Sequence, residues 1–249
     1  MGRSLGTLGH MTASPPSIVA DAEAFVREEL AGMDGSHDWW HIHRVRTTAL
    51  ALASEERLVS PRSLEIVELA ALLHDVRDWK YSGDADAGAR AVRAFFSARA
   101  YPSDRADAVV DIVSRVGFKD ELASASAATP RDGPSVSCAP PGVTPEFACV
   151  QDADRLDAMG AIGIGRTFCY GGAKGSPMHV PGVAPREGLT REAYVAGGGV
   201  DTTVNHFHEK LLKLRGLMKT DAARRRAERR HRTMLDFLER FHAEWDGTE

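Results

Sequence analysis

The chain has 249 residues, 31 of them basic and 35 acidic, for a net charge of −4. An apolar share of 43% and a charged share of 27% are those of an ordinary folded chain of one or two domains, which excludes wholesale disorder and fibrous repeats. The slightly negative balance leaves no global positive field to gather nucleic acid or an anionic membrane, so an anionic substrate has to be bound locally. The three cysteines, Cys138, Cys149 and Cys169, show no CxxC spacing, which argues against a disulfide framework or a cysteine-rich zinc site. No apolar run approaches the roughly 20 residues of a membrane span, and the first sixteen residues carry no apolar leader core. The chain therefore reads as cytoplasmic, with no membrane partner and no nucleic-acid partner.

In chain order, residues 1–16 are Gly-rich and patternless, a flexible tail ahead of a single domain over 17–246. From Trp39 the apolar positions Ile42, Val45, Ala49 and Leu52 recur every three or four residues, the spacing of an amphipathic helix. Ser60-Pro61 ends it and starts the next. Leu64 to Leu73 is apolar almost all round apart from Glu65 and Glu68, as in a central helix. Helices are expected at about 85–100 and 104–116 by the same periodicity, with Ser103 and Asp104 available as caps. Residues 123–145 lose all periodicity and read as a loop insertion. A shorter helix around Cys149 to Tyr170, broken near Gly160 to Gly165, precedes a second long loop at 171–200. Val204 to Met218 and Met234 to Trp245 then mark two amphipathic helices. No strand alternation or hairpin signal occurs, so the expected fold class is all-α, a helical bundle with two long loops.

Three short stretches carry residues suited to chemistry: His37-Asp38-Trp39-Trp40-His41-Ile42-His43-Arg44-Val45, His74-Asp75, and Gln151-Asp152-Ala153-Asp154-Arg155-Leu156-Asp157. His37 and His41, four residues apart on one helix, project from one face. His74 and Asp75 close an otherwise apolar helix, where ionisable groups need partners or a metal. Together the stretches give the order His…His-Asp…Asp, a mixed nitrogen and oxygen donor set for a divalent ion. Trp39 and Trp40 read as core or pocket wall.

This order of motifs resembles the HD-domain metal-dependent phosphohydrolases, an all-helical superfamily. Within it the chain is most similar to the small nucleotide pyrophosphohydrolase-like branch, through His37 to Val45, Glu68 to Lys80, Val150 to Gly172 and Asp201 to Phe207. The resemblance implies an HD-domain helical bundle with one divalent metal, manganese favoured over iron, cobalt, nickel, magnesium or zinc. It implies His41, His74, Asp75 and Asp154 as metal ligands, with Asp152 the rival for the last place, and Asp78 as the catalytic acidic residue that orients or deprotonates water. The absence of any histidine between Asp75 and Asp154 favours a single metal over the binuclear members.

One ion cannot neutralise a triphosphate, so further donors are required. Lys80, Arg155, Lys174 and Lys210 are the cationic candidates for substrate binding, with His37 as a further phosphate contact. Lys174 stands among glycines whose backbone N–H groups are able to approach an anion. The expected activity is hydrolysis of a small phosphorylated metabolite, foremost a nucleoside or deoxynucleoside triphosphate cleaved to monophosphate and pyrophosphate. A nucleoside monophosphatase, a non-catalytic metal- or nucleotide-binding regulator and a helical interaction module using the 221–246 face are the alternatives. The Arg224–Arg232 run reads as a solvated helix face rather than a polyanion platform.

Overall fold

A computed structural model describes residues 17–77, 83–84, 86–117, 142–186 and 202–249. Its regular elements are all helical: α1 (Ile18–Glu29), α2 (Trp39–Glu55), α3 (Pro61–Leu73), α4 (Ala87–Ser97), α5 (Ser103–Arg115), α6 (Pro145–Asp157), α7 (Gly160–Lys174), α8 (Thr203–Glu209), a 3-10 segment (Leu211–Leu217) and α9 (Asp221–Trp245). The all-α fold class is therefore correct. The tail at 1–16 and most of the 123–145 insertion lie outside the described residues.

Local chemistry sets most boundaries. Ser17, Asp38, Ser60, Thr144, Thr202 and Thr220 each accept a backbone N–H from the first turn of the helix that follows, which satisfies donors the helix cannot use itself. Pro61 and Pro145 open α3 and α6, where a missing N–H costs nothing. The caps expected for α5 are not used: its N-cap is Pro102, and Ser103 is already inside the helix. Asp104 in the first turn pairs with Arg62 at 2.8 Å instead.

The central position of α3 follows from its composition. Ile66, Val67 and every residue from Leu69 to Leu73 are buried, with α1, α2, α5 and α6 packed around them. Its two acids escape the cost of burial by pairing outward. Glu68 accepts from Arg46 of α2 at 2.9 Å, and Glu65 accepts from Tyr101 at 2.7 Å and Arg105 at 2.9 Å. One apolar core runs from Ala22 of α1 to Leu238 of α9.

The break expected near Gly160 to Gly165 is present, and two other expected boundaries move. Residues 149–170 form two helices, because Gly160 takes φ +70° and turns the chain after Ala158-Met159. Arg230 of α9 packs over that turn, and a Cβ at Gly160 would stand 2.9 Å from its Cγ. Gly160→Ala is expected to cost about 1–3 kcal/mol from the left-handed backbone and the contact together, read as a lowered melting temperature. The second long loop starts later than expected, since 171–174 continue α7 and Gly175, at φ 68°, ends it. Gly171 is required for packing: a Cβ there would collide with the Thr203 hydroxyl, where α8 crosses α7. The helix expected over 204–218 splits at Lys210 into α8 and the 3-10 segment. The described start of the loop is bound to α8: Thr203 N donates to Pro177 O at 3.0 Å, and Glu209 accepts from the Arg186 guanidinium at 2.7 Å and from its backbone N–H at 2.9 Å.

Burial alone would raise the Glu209 carboxyl, but the Arg186 bonds outweigh it and hold the pKa below the ordinary glutamate value. A lowered carboxyl pKa contributes stability that is present above the unfolded value and is lost as pH falls through the folded one. Thermal melts should therefore fall as pH drops below about 4.3, and Glu209→Gln should flatten that slope.

The Arg224–Arg232 run is largely paired within the molecule. Arg225 and Arg226 reach Glu55 of α2, Arg224 pairs with Asp221 at 2.5 Å, Arg232 with Glu228 at 3.3 Å, and Arg230 donates to the Leu156 carbonyl. Trp39 packs partly buried beneath Arg27, whose guanidinium carbon lies 3.8 Å from the ring centroid. Trp40, expected in a wall, is 59% exposed. No described helix is long and apolar enough to cross a membrane.

Candidate metal centre

Helices α2, α3 and α6 converge on one cluster. The Asp38 cap accepts from His41 N at 3.0 Å, which places His41 on the first turn of α2 with its side chain directed into the bundle. His74 is the C-cap residue of α3, Asp75 follows it, and Asp154 lies on the last turn of α6. His41 Nε2 stands 3.2 Å from His74 Nε2, 3.2 Å from Asp75 Oδ2 and 3.7 Å from Asp154 Oδ1. His74 Nε2 is 3.6 Å from Asp75 Oδ2 and 3.9 Å from Asp154 Oδ1. Four of the residues expected as ligands are thus brought together from three helices.

The hydrogen bonds behind the two imidazoles decide what they present. His74 Nδ1 lies 2.9 Å from the Ala71 carbonyl, which only accepts, so Nδ1 carries the proton and Nε2 faces the cluster with its lone pair. His41 Nδ1 lies 2.8 Å from Asp157 Oδ2 and is a donor for the same reason. Two lone pairs at 3.2 Å beside two carboxylates repel unless a cation lies among them. With metal–ligand bonds of about 2.0–2.2 Å, ligand atoms on one ion stand about 3.0–3.6 Å apart, close to the separations found. The donor set therefore fits a divalent ion, and imidazole with carboxylate suits several first-row metals.

Burial would raise the Asp75 carboxyl, but His74 and then His41 beside it hold it well below the ordinary range. Asp154 is likewise lowered against its burial, by Arg155 first and then by both histidines, while the Asp75 charge works the other way. Burial and the Arg166 charge oppose protonation of His41, yet Asp157 and Asp75 outweigh them and raise its pKa.

The rival, Asp152, has other work. It is fully buried and accepts from Lys219 N at 3.0 Å, Thr220 N at 2.7 Å and Thr220 Oγ1 at 2.8 Å, which ties α6 to the start of α9. Two residues apart on a helix, Asp152 and Asp154 point to different sides, and only Asp154 meets the histidines.

The residues expected to bind substrate fall in different places. His37 borders the cluster: its ring centroid is 6.0 Å from that of His41 and 5.9 Å from that of Tyr170, and its Nδ1 is 2.7 Å from Ser36 Oγ. Lys174 ends α7 with Nζ 5.6 Å from the centroid of the Tyr170 ring that His37 also meets. Its neighbours Gly171 and Gly172 are helical, so no glycine loop surrounds it. Arg155 is buried, donating to Asp154 Oδ2 at 2.9 Å and to the Val116 carbonyl at 2.9 Å, so it braces a cluster carboxylate. Lys210 sits at the junction of α8 and the 3-10 segment, on none of the helices that supply the cluster. Asp78 and Lys80 lie outside the described residues.

Three residues had no role from the sequence. Asp157 accepts from His41, from Arg44 Nε at 2.8 Å and Nη2 at 3.0 Å, and stands 3.0 Å from Arg166 Nη1. Burial would raise its carboxyl, but the His41 and Arg44 bonds hold it well below the ordinary range. The i, i+3 spacings from His41 to Arg44 and from Asp154 to Asp157 were the available signal. Nothing near Arg166 in the sequence points to it.

Comparison with known proteins places this geometry. The family model described as HD domain matches residues 40–159, which hold all four cluster residues. A structure from Lactobacillus plantarum, 33% identical, superposes with a TM-score of 0.75 over 92% of this chain and 97% of its own. An HD-superfamily hydrolase from Bacillus thuringiensis, 36% identical, gives a TM-score of 0.63 over 92% and 96%. Bacillus subtilis YpgQ, solved in complex with ADP, is 30% identical with a TM-score of 0.65 over 93% and 100%. The chain belongs to the HD superfamily of hydrolases.

Proposed function

We propose that the chain is a divalent-metal-dependent phosphohydrolase acting on nucleoside or deoxynucleoside triphosphates, releasing the monophosphate and pyrophosphate. The observation that carries this reading is the convergence of His41, His74, Asp75 and Asp154 with both imidazole lone pairs turned inward. The ADP complex of YpgQ supports a nucleotide as ligand, and manganese is the metal favoured by resemblance.

A bound divalent ion supplies a Lewis acid for a phosphoryl oxygen and makes water acidic enough to deprotonate near neutral pH. Two neutral imidazoles and two carboxylates would balance the ion's charge and leave the charge of a polyphosphate to other groups. His37 and Lys174, which both meet the Tyr170 ring, would offer cationic or donor contacts, with Lys80 and Lys210 as further candidates. Arg155 serves the substrate indirectly by holding Asp154. Asp78 is assigned the proton from the attacking water: a bond forms from the water oxygen to the α-phosphorus, the α–β bridging bond breaks, and pyrophosphate leaves with the electron pair.

A nucleotide panel assayed with manganese tests the reading. Pyrophosphate is expected from triphosphates with the wild type and at background with His74→Ala and Asp75→Ala. Equal inactivity of all three would sink it. Inorganic phosphate released from monophosphates would make the protein a nucleotidase, and binding without turnover would make it a regulator.

A further inference from the structure

The contacts between α2 and α6 at the centre repeat one turn apart. On α2, His41 and Arg44 are three residues apart; on α6, Asp154 and Asp157 are three residues apart, so each pair shares a helix face. His41 lies opposite Asp154 at 3.7 Å, Arg44 opposite Asp157 at 2.8 Å, and the diagonal from His41 Nδ1 to Asp157 is 2.8 Å. From α7, Arg166 reaches the same carboxylate at 3.0 Å while its Nε donates to the Ser36 carbonyl at 2.8 Å, just before His37. One carboxylate, 6% exposed, thus receives three donor side chains from two helices.

Such concentration is expensive for a purely structural contact, because a buried charge needs nearly all its lone pairs satisfied. Here the satisfaction has a direction: Arg44 and Arg166 fix where the carboxylate sits, and the carboxylate fixes which nitrogen of His41 holds the proton. We propose that Asp157, held by Arg44 and Arg166, is a positioning residue that locks His41 in the tautomer and orientation able to ligate the metal. This rests on the metal centre of the proposed function, but concerns how the first ligand is prepared rather than which substrate is cleaved.

The isosteric amide separates this role from simple packing. Oδ2 of Asp157 receives His41 Nδ1, Arg44 Nη2 and Arg166 Nη1, whereas Oδ1 receives Arg44 Nε alone. In Asp157→Asn the amide oxygen therefore takes the Oδ2 place and keeps the geometry, but without the charge that holds the proton on Nδ1 and off the Nε2 that ligates. Removing such an outer partner typically weakens metal binding about 10–100-fold. Calorimetric titration with manganese should therefore show a dissociation constant raised by roughly that factor, with turnover recovering toward wild type as metal is raised and KM for nucleotide little changed. Wild-type affinity in a folded Asp157→Asn protein would overturn the proposal while leaving the metal centre standing. Absence of manganese binding by the wild type itself would instead remove the metal centre, and the proposal with it. Should the variant fail to fold, nitrogen NMR of wild-type His41 at alkaline pH without added metal decides. Protonated Nδ1 and bare Nε2 support the lock, and the reverse tautomer overturns it.

Discussion

His74→Ala is expected to abolish measurable manganese binding and to lower kcat/KM by at least about 10³-fold, since Lewis-acid stabilisation of several kcal/mol converts at about 1.4 kcal/mol per tenfold. His74 Nε2 is one of two nitrogen donors in the cluster, 3.2 Å from the other, and its lone pair faces inward because Nδ1 is committed to Ala71 O. Alanine keeps the α3 terminus helical and removes only the ring, so folding should survive. Calorimetry with manganese and pyrophosphate release on the same preparation check both halves. Metal affinity within a few-fold of wild type would show that the cluster holds no ion through His74.

The two aspartates of α6 give the second large contrast. Asp152→Ala removes the acceptor of two backbone N–H groups and one hydroxyl at the head of α9, the two Thr220 contacts buried and the Lys219 contact part-buried. Each orphaned buried donor costs about 1–3 kcal/mol, partly relieved by relaxation, so a loss of about 3 kcal/mol is expected overall. At about 2–4 °C per kcal/mol for a chain of this size the melting temperature should fall by roughly 6–12 °C, with manganese affinity nearly unchanged in the protein that remains folded. Asp154→Ala should do the opposite: binding is lost, and the melting temperature falls less than with Asp152→Ala, because the lost Arg155 contact is offset in part by relief of the repulsion from Asp75. If the larger fall in melting temperature came with Asp154→Ala and the loss of metal affinity with Asp152→Ala, their assignments would have to be exchanged.

The contrast shows where reading the sequence stops. Asp152 and Asp154 occupy the same Gln-Asp-Ala-Asp-Arg block and have the same side chain, so composition and spacing could not choose between them. What separates them is rotation around α6, which carries Asp152 to Thr220 and Asp154 to His41. The motif order itself, His41 then His74-Asp75 then an aspartate of the 152–154 block, was legible because His41 lies on a periodic helix and His74-Asp75 close the apolar run of α3, and the resemblance then pointed to Asp154.

Periodicity of apolar residues determined the all-α class, because a helix must bury one stripe and repeats it every three or four positions whatever its neighbours are. It failed where the determinant was distant. The need for a glycine at 171 depends on Thr203 of α8, and at the expected break the glycine at 160 accommodates Arg230 of α9. A glycine in sequence says only that the backbone is free; tertiary packing decides whether that freedom serves a loop, a turn or a close crossing. For the same reason Arg155 changed its surroundings. Its charge suggested a phosphate, but a guanidinium buried between α6 and the end of α5 finds Asp154 and Val116 O within hydrogen-bond reach.

The sequence by itself thus determined the helical class and the three short stretches that gather, with a nitrogen and oxygen donor set suited to a divalent ion, since those follow from residue type and helix periodicity; the individual ligands came from the family resemblance. Only the tertiary structure decided which aspartate faces the histidines, which imidazole nitrogen is offered, and that Asp157 with Arg44 and Arg166 stands behind His41. Those choices depend on how three helices are turned toward one another, and that is set by burial across the whole core rather than by any residue's neighbours in the chain.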